Sequence, residues 1–215
     1  GLNGRRIRQG LLFRSAGLNN NSTGTEKDGD QKPGTPHLTE AECARVQTRY
    51  GFKADLDLRR PDEVYGMTGS PLGPDVRWVQ ASSKAYGEMD RPEARAAFAK
   101  VFATLKDRRN LPAVFHCITG ADRTGTVAFI LNALLGVGLE DLYRDWEATA
   151  LYSTRMDFYH ARRLDKFVAV VESYPGETLA DKTAAFVKDC GFTDADIAFL
   201  RDFLLEREQG IGNRE

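Results

Sequence analysis

The sequence predicts an α/β fold in which a central, mostly parallel sheet is flanked by helices and the C-terminal part of the chain is rich in helix. Three observations predict it. Short apolar runs of strand length (Leu11 to Phe13, Ala54 to Leu58, Val76 to Val79 and the residues from Pro112 to His116) are interleaved with segments of helical period. Strands separated by helices join through crossovers, which makes neighbouring strands parallel. Beyond Arg123 the pattern is helix after helix, with Gly136, Pro175-Gly176 and Gly191 at the breaks.

Taken in order, the first apolar triplet ends at Arg14-Ser15. Residues 17–36 then offer almost nothing to a core: Asn19, Asn20 and Asn21, several Gly, Ser and Thr, then Pro33 and Pro36. Such stretches beyond about 12–15 residues are lids, insertions or disordered segments, and a long polar loop or insertion is expected here. Thr39 and Glu42 have the spacing of a capping box behind Leu38, so a helix runs from about residue 40 to Tyr50 and stops at Gly51. After two short strands, Asp90, Pro92 and Glu93 open a helix carrying Ala94, Phe98, Val101, Phe102 and Leu105 on one period. The strand ending at His116 comes next. Helices follow over about 123–135, 140–151, 157–174 and 179–190, and another opens at Thr193. There is no internal repeat.

With 215 residues, 41% of them hydrophobic, the chain fits one domain spanning 1–215. Its 30 Lys and Arg balance 31 Asp and Glu, leaving a net charge of −1. That excludes a global basic field for nucleic acid or an anionic membrane, so any anion site must be local. The longest apolar run, Val127 to Leu135, is broken by Asn132 and ends before Gly136, well short of the roughly 18 residues of a membrane span. Three cysteines, Cys43, Cys117 and Cys190, are too few and too scattered for a disulfide framework or a close-spaced zinc site, so neither metal nor cofactor is expected. A chain beginning with Gly is read as trimmed, which leaves its location open between the cytoplasm and export after removal of a leader.

The most informative segment is His116-Cys117-Ile118-Thr119-Gly120-Ala121-Asp122-Arg123-Thr124-Gly125, which reads as strand, tight loop and helix. A loop at a helix N-terminus is a cup of backbone N–H groups suited to a phosphate dianion. The same field lowers the pKa of a thiol at its floor, Cys117. Ile118, Thr119, Gly120, Ala121 and Asp122 are the residues whose N–H groups can turn inward, and Gly120 permits the tight backbone. The Arg123 fork can hold two equatorial phosphate oxygens and stays charged at any working pH. Gly125 lets the helix start close beneath the loop, and the Thr124 hydroxyl is placed to bond the Cys117 sulfur. Either Cys117 or Arg123 alone would be an unremarked buried thiol or solvated cation; their combination carries the prediction. His116 is read either as a hydrogen bond to the loop backbone or as a tuner of the thiol, and in neither case as an acid or base. The loop is expected at the carboxyl end of a central strand, where open sheets bind ligands.

This segment resembles the signature loop of the cysteine-dependent protein tyrosine phosphatases, His-Cys-x-x-Gly-x-x-Arg-Thr-Gly, and more narrowly a bacterial branch with Asp before the Arg. Gly10 to Leu18 is similar to that branch's Arg-Ser-x-x-Leu segment, and Asp57-Leu58-Arg59 with Asp62-Glu63 to its Asp-Leu-Arg strand end. Leu135-Gly136-Val137 with Asp141 to Trp146 resembles the helix pair after its loop. The resemblance implies a cysteine-phosphatase-like fold and a metal-independent phosphatase acting on phosphotyrosine, with phosphoserine and phosphothreonine as further substrates. Cys117 would be the nucleophile, with a phosphocysteine intermediate. The partner is then a phosphorylated protein or phosphate-ester substrate; oligomeric state is unassigned.

Two departures stand out. The branch's Asn-x-Arg-Asp-x-Gly-Gly segment is absent before Leu2, so the first strand is expected to be incomplete, and Ala121 replaces a common lysine, which weakens the case for highly charged inositol phosphates. A phosphatase of the same chemistry acting on phosphoinositides or small esters, and a phosphate-binding module without turnover, remain the alternatives. A sulfur-transfer role fits the five-residue spacing less well. For the general acid, the resemblance favours Asp122; Asp90 is the second candidate, with helix capping as its plainer role. Arg14 and Arg59 could lie beside the loop, or pair with Asp57, Asp62 or Glu63. Tyr65, Trp78, Tyr86, Tyr152 and Phe158 are candidate cleft walls or packing residues.

Overall fold

The computed structural model describes residues 1–18, 38–64, 67–83, 88–89, 91–148 and 157–206, with the backbone alone over 157–163. Four strands, β1 (Leu12–Ser15), β2 (Ala54–Asp57), β3 (Arg77–Gln80) and β4 (Ala113–His116), form one sheet in the order β1-β4-β2-β3. All three pairings are parallel. Seven helices among the described residues surround it: α1 (Glu40–Tyr50), α2 (Pro92–Leu105), α3 (Asp122–Leu134), α4 (Leu139–Glu147), α5 (Asp157–Glu172), α6 (Leu179–Asp189) and α7 (Asp194–Leu204). The expected α/β fold is therefore present, and the four helices after α3 account for the helix-rich C-terminal part.

Strand β4 is interior, between β1 and β2. Its last residue, His116, is level with Ser15 and Asp57, so the three strands end together. The segment after His116 is thus flanked by the chain leaving β1 and the chain leaving β2.

Side-chain alternation divides the core in two. Ala54 and Leu56 of β2, with Ala113 and Phe115 of β4, face the larger cluster that also contains Phe98, Phe129 and Phe186. Val114 faces the other way, against Leu18, Cys43, Phe52, Leu72 and Val76. Asp55 and Asp57 share that second face and are fully buried, which demands polar partners. Helix α3 is buried nearly all round, with α4 and α6 packed on it.

Several helix ends follow the sequence signals. The Thr39–Glu42 capping box forms, and Gly51 closes α1 at φ 63°. Thr178 with Asp181 and Thr193 with Asp196 form two more boxes at α6 and α7. Helix α2 starts at Pro92 with Arg91 in the capping position, while Asp90 lies outside the described residues. Helix α4 ends at Glu147, short of the expected Leu151. Leu18, included in the polar stretch, is in fact a core residue, 4% exposed, and its carbonyl accepts from Leu38 N–H at 3.1 Å. Residues 19–36, the rest of that stretch, lie outside the described residues. Among the described residues no helix is long and apolar enough to cross a membrane.

Candidate active site

The chain leaves β4 at His116, turns through Cys117 to Ala121, and enters α3 at Asp122. Gly120 is required there twice over. It sits at φ 73°, and a Cβ at this position would lie 2.7 Å from the Ser15 carbonyl oxygen and 2.9 Å from Ala16 N. The loop is stapled to the β1 exit by Gly17 N–H, which donates to the Ile118 carbonyl at 2.9 Å. Gly125 N–H closes the first turn of α3 on the Ala121 carbonyl at 2.7 Å. Behind the turn, Trp146 of α4 lies against Gly125, whose added Cβ would sit 3.4 Å from the indole ring.

Cys117 is at the floor of this turn, 2% exposed. Burial alone pushes a thiol pKa up. The Thr124 hydroxyl, the Arg123 charge and the N–H groups of Thr124 and Gly120 act on the sulfur in the opposite direction and prevail, holding the pKa below the ordinary thiol value. The other two cysteines go the opposite way. Burial and then Glu42 and Asp55 raise Cys43; burial and then Asp189 push Cys190 up to about 12. Of the three, only Cys117 has its pKa shifted downward.

Arg123, in the first turn of α3, points at the β2 exit. Its Nη1 donates to Glu63 Oε2 at 2.5 Å and to the Leu58 carbonyl at 3.3 Å, and its Nη2 donates to Glu63 Oε1 at 3.2 Å. Those bonds occupy the Nη1–Nη2 end of the guanidinium. The Nε–H and the second Nη2–H form the other edge, a two-pronged donor suited to a tetrahedral anion. Glu63 is the residue that sequence reasoning misplaced, as a possible partner of Arg14 or Arg59. The short turn Pro61–Glu63 after β2 brings it to Arg123 instead.

Arg59 follows its plainer reading: both carboxylate oxygens of Asp57 accept from it at 2.7–3.1 Å, in a buried pair. Arg14 is paired with none of the three expected acids but with Asp145 of α4, at 2.6 Å. Asp62 pairs with Arg60. The Trp78 indole N–H donates to Asp57 at 3.4 Å, on the face shared with Arg59. Tyr65, Tyr86 and Tyr152 lie outside the described residues, as does the side chain of Phe158. Asp122 is half-buried and Thr124 fully buried at the start of α3; Ala121 is buried, Ile118 half-buried and Thr119 exposed. Beside the loop, Arg14, Ser15, Ala16, Thr119, Gly120, Asp145 and Ala148 line a cleft of ≈ 300 Å³.

His116 lies beneath the loop, 1% exposed. Its Nδ1 is 3.1 Å from the Cys117 carbonyl oxygen, and its Nε2 is 3.0 Å from Asp55 Oδ1. It touches the loop backbone at the Cys117 carbonyl.

Fold and site define a class: a parallel α/β protein whose central strand delivers a buried, acidified cysteine and a clamped arginine to the head of a helix. A family model described as tyrosine phosphatase family matches residues 34–206, and the chain belongs to that family. It is 29% identical over 174 residues to a Cupriavidus necator protein named "Putative tyrosine-protein phosphatase H16_A0669". That match covers 68% of this chain and 55% of the relative, so the chain spans about half the relative's length. A solved structure, the core catalytic domain of the PP-IP phosphatase SIW14 from S. cerevisiae in complex with citrate, aligns at 16% identity with a TM-score of 0.46, covering 86% of this chain and 96% of that one.

Proposed function

We propose that this protein hydrolyses phosphate monoesters through a covalent phosphocysteine, without a metal, with phosphotyrosine on proteins as the leading substrate and phosphoserine and phosphothreonine as further ones. The carrying observation is that Cys117, alone of three buried cysteines, is held below the ordinary thiol range by Thr124 and Arg123 at the head of α3. In this reading the Cys117 thiolate attacks phosphorus in line as the phosphorus–oxygen bond to the leaving group breaks. Arg123 and the loop N–H groups from Ile118 to Arg123 hold the equatorial oxygens, and Asp122 gives its proton to the departing oxygen. Water then attacks the phosphocysteine and gives a proton to the Asp122 carboxylate, which restores the acid; the phosphorus–sulfur bond breaks, inorganic phosphate leaves, and the Thr124 hydroxyl stabilises the returning thiolate. The family and the name of the C. necator relative favour phosphotyrosine. Ala121 adds no charge at the loop for a second phosphate.

The test is hydrolysis of p-nitrophenyl phosphate with excess chelator, together with acid quenching to trap the phosphoenzyme. The wild type is expected to turn over and to yield a labelled cysteine. Cys117→Ser should lose about 10⁴-fold or more in kcat, as nucleophile removals do. Turnover that requires added metal, or that survives in Cys117→Ser, would overturn the mechanism. Parallel profiles on phosphotyrosine peptides and inositol lipids decide the substrate class.

A further inference from the structure

Arg14 lies one residue before the end of β1, and only one end of its guanidinium is used. Its Nη1 donates to Asp145 Oδ2 of α4 at 2.6 Å, while nothing among the described residues accepts from its Nε or Nη2. The pair lines the ≈ 300 Å³ cleft that also takes in Ser15 and Ala16 of the β1 exit and Thr119 and Gly120 of the loop. Thr119 is exposed there and offers a hydroxyl donor. On the β2 side of the loop Arg123 is held in the same manner: Glu63 takes one end of the guanidinium and leaves the other edge for an anion. As a mere tie between β1 and α4 the Arg14–Asp145 pair does little, because its side chains are 30% and 43% exposed and therefore screened.

We infer that Arg14 determines specificity: its unbonded Nε and Nη2 edge takes the carboxylate of an acidic side chain next to the phosphotyrosine, in the cleft beside the loop. This rests on the reading of the protein as a phosphotyrosine phosphatase. Cleft and loop share Thr119 and Gly120, so a peptide whose phosphate sits on the loop N–H groups carries a neighbouring residue over the cleft. A carboxylate there meets a planar two-pronged donor, the geometry that arginine offers and lysine does not. The positive N-terminal end of α3, which opens at Asp122 directly after the loop, acts in the same direction. Asp145 has two opposed effects: it holds the guanidinium in place, and its charge repels a second carboxylate. Asp145→Asn separates them, since the amide oxygen can still accept from Nη1 while the charge is gone.

Peptide binding to Cys117→Ser, which needs no turnover, tests this. Fluorescence anisotropy at low salt would compare a phosphotyrosine peptide flanked by Glu with the same peptide flanked by Gln. The acidic peptide should bind about tenfold more tightly. Adding Arg14→Gln should bring that ratio to about one, and Arg14→Lys, which keeps the charge but loses the fork, should leave about threefold. Adding Asp145→Asn should instead raise the ratio by about threefold. Were the pair only a structural tie, either change would break it; variants of Arg14 and Asp145 that lower the ratio alike, or leave it alike, overturn the inference. Equal affinities for the two peptides before either change overturn it as well. With Cys117 intact, the preference should appear in KM with kcat little different between the peptides. Failure of both peptides to bind would sink the phosphotyrosine reading and this inference with it, whereas binding without preference would sink the inference alone.

Discussion

Two carboxylates flank the loop, Asp122 at the head of α3 and Glu63 behind Arg123, and the proposed chemistry asks different things of them. Asp122, as the proton donor, matters in proportion to how poorly the leaving group departs. Asp122→Asn should therefore cost about 10²–10⁴-fold on an alkyl phosphate and far less on an aryl phosphate with a very acidic leaving group. Equal losses on both would remove Asp122 from that role. Glu63 holds the Nη1–Nη2 end of Arg123, and its work does not depend on the leaving group. Glu63→Gln should lower kcat/KM by about 10²-fold on both substrates, through misplacement of the guanidinium, and weaken vanadate binding in parallel. Asp122 was legible because it sits inside a contiguous motif. Glu63 was not, because an ion pair between residues 60 apart leaves no period or spacing in the chain; the same holds for Arg14 and Asp145, 131 apart.

At the scale of elements, the loop works only because three strands end level and the β1 exit presses on Gly120. Gly120→Ala would place a methyl 2.7 Å from a backbone oxygen that cannot retreat, since Ser15 is paired in register with His116. It would also force an L residue into φ 73°. We expect a loss of about 1–3 kcal/mol in urea unfolding and of at least about 10²-fold in aryl phosphatase activity; wild-type activity would show that the turn is not needed in this form. Elements of this kind were readable where a local rule governs them. The capping box at Thr39, Gly51 at the end of α1 and the apolar period of α2 are each decided within a few residues. Strand order was not readable: nothing local to Leu12–Ser15 says that it pairs with β4 rather than β2. Nor was the burial of Leu18, which depends on Val114, Phe52 and Cys43 meeting on one face of the sheet.

For the whole molecule, a net charge of −1 says little about how stability depends on pH; the individual pairs decide it. Burial raises the Asp57 pKa, but the hydrogen bonds and charge of Arg59, with His116 nearby, bring it below the usual carboxylate value. Asp107, bonded by Arg109, and Asp196, bonded by Lys106, are held at about 2. A carboxyl whose folded pKa is depressed contributes stability that is fully present above its unfolded value, about 4, and is lost as pH falls through the folded value. His116 has the opposite sign: with its pKa raised, its contribution is present below the unfolded value of about 6.5 and is lost as pH rises through the folded one. The urea midpoint should therefore fall steeply below about pH 4. Asp107 and Asp196 are partly open to solvent and screened, so most of that fall belongs to the buried Asp57–Arg59 pair. Asp57→Asn should cost about 3–5 kcal/mol at pH 7, because it leaves the Arg59 charge buried without its counterion. The variant's acid limb should be shallower than the wild type's. Urea titrations of both proteins from pH 7 to pH 2.5 measure this directly, and parallel acid limbs would transfer the effect from Asp57 to the surface pairs.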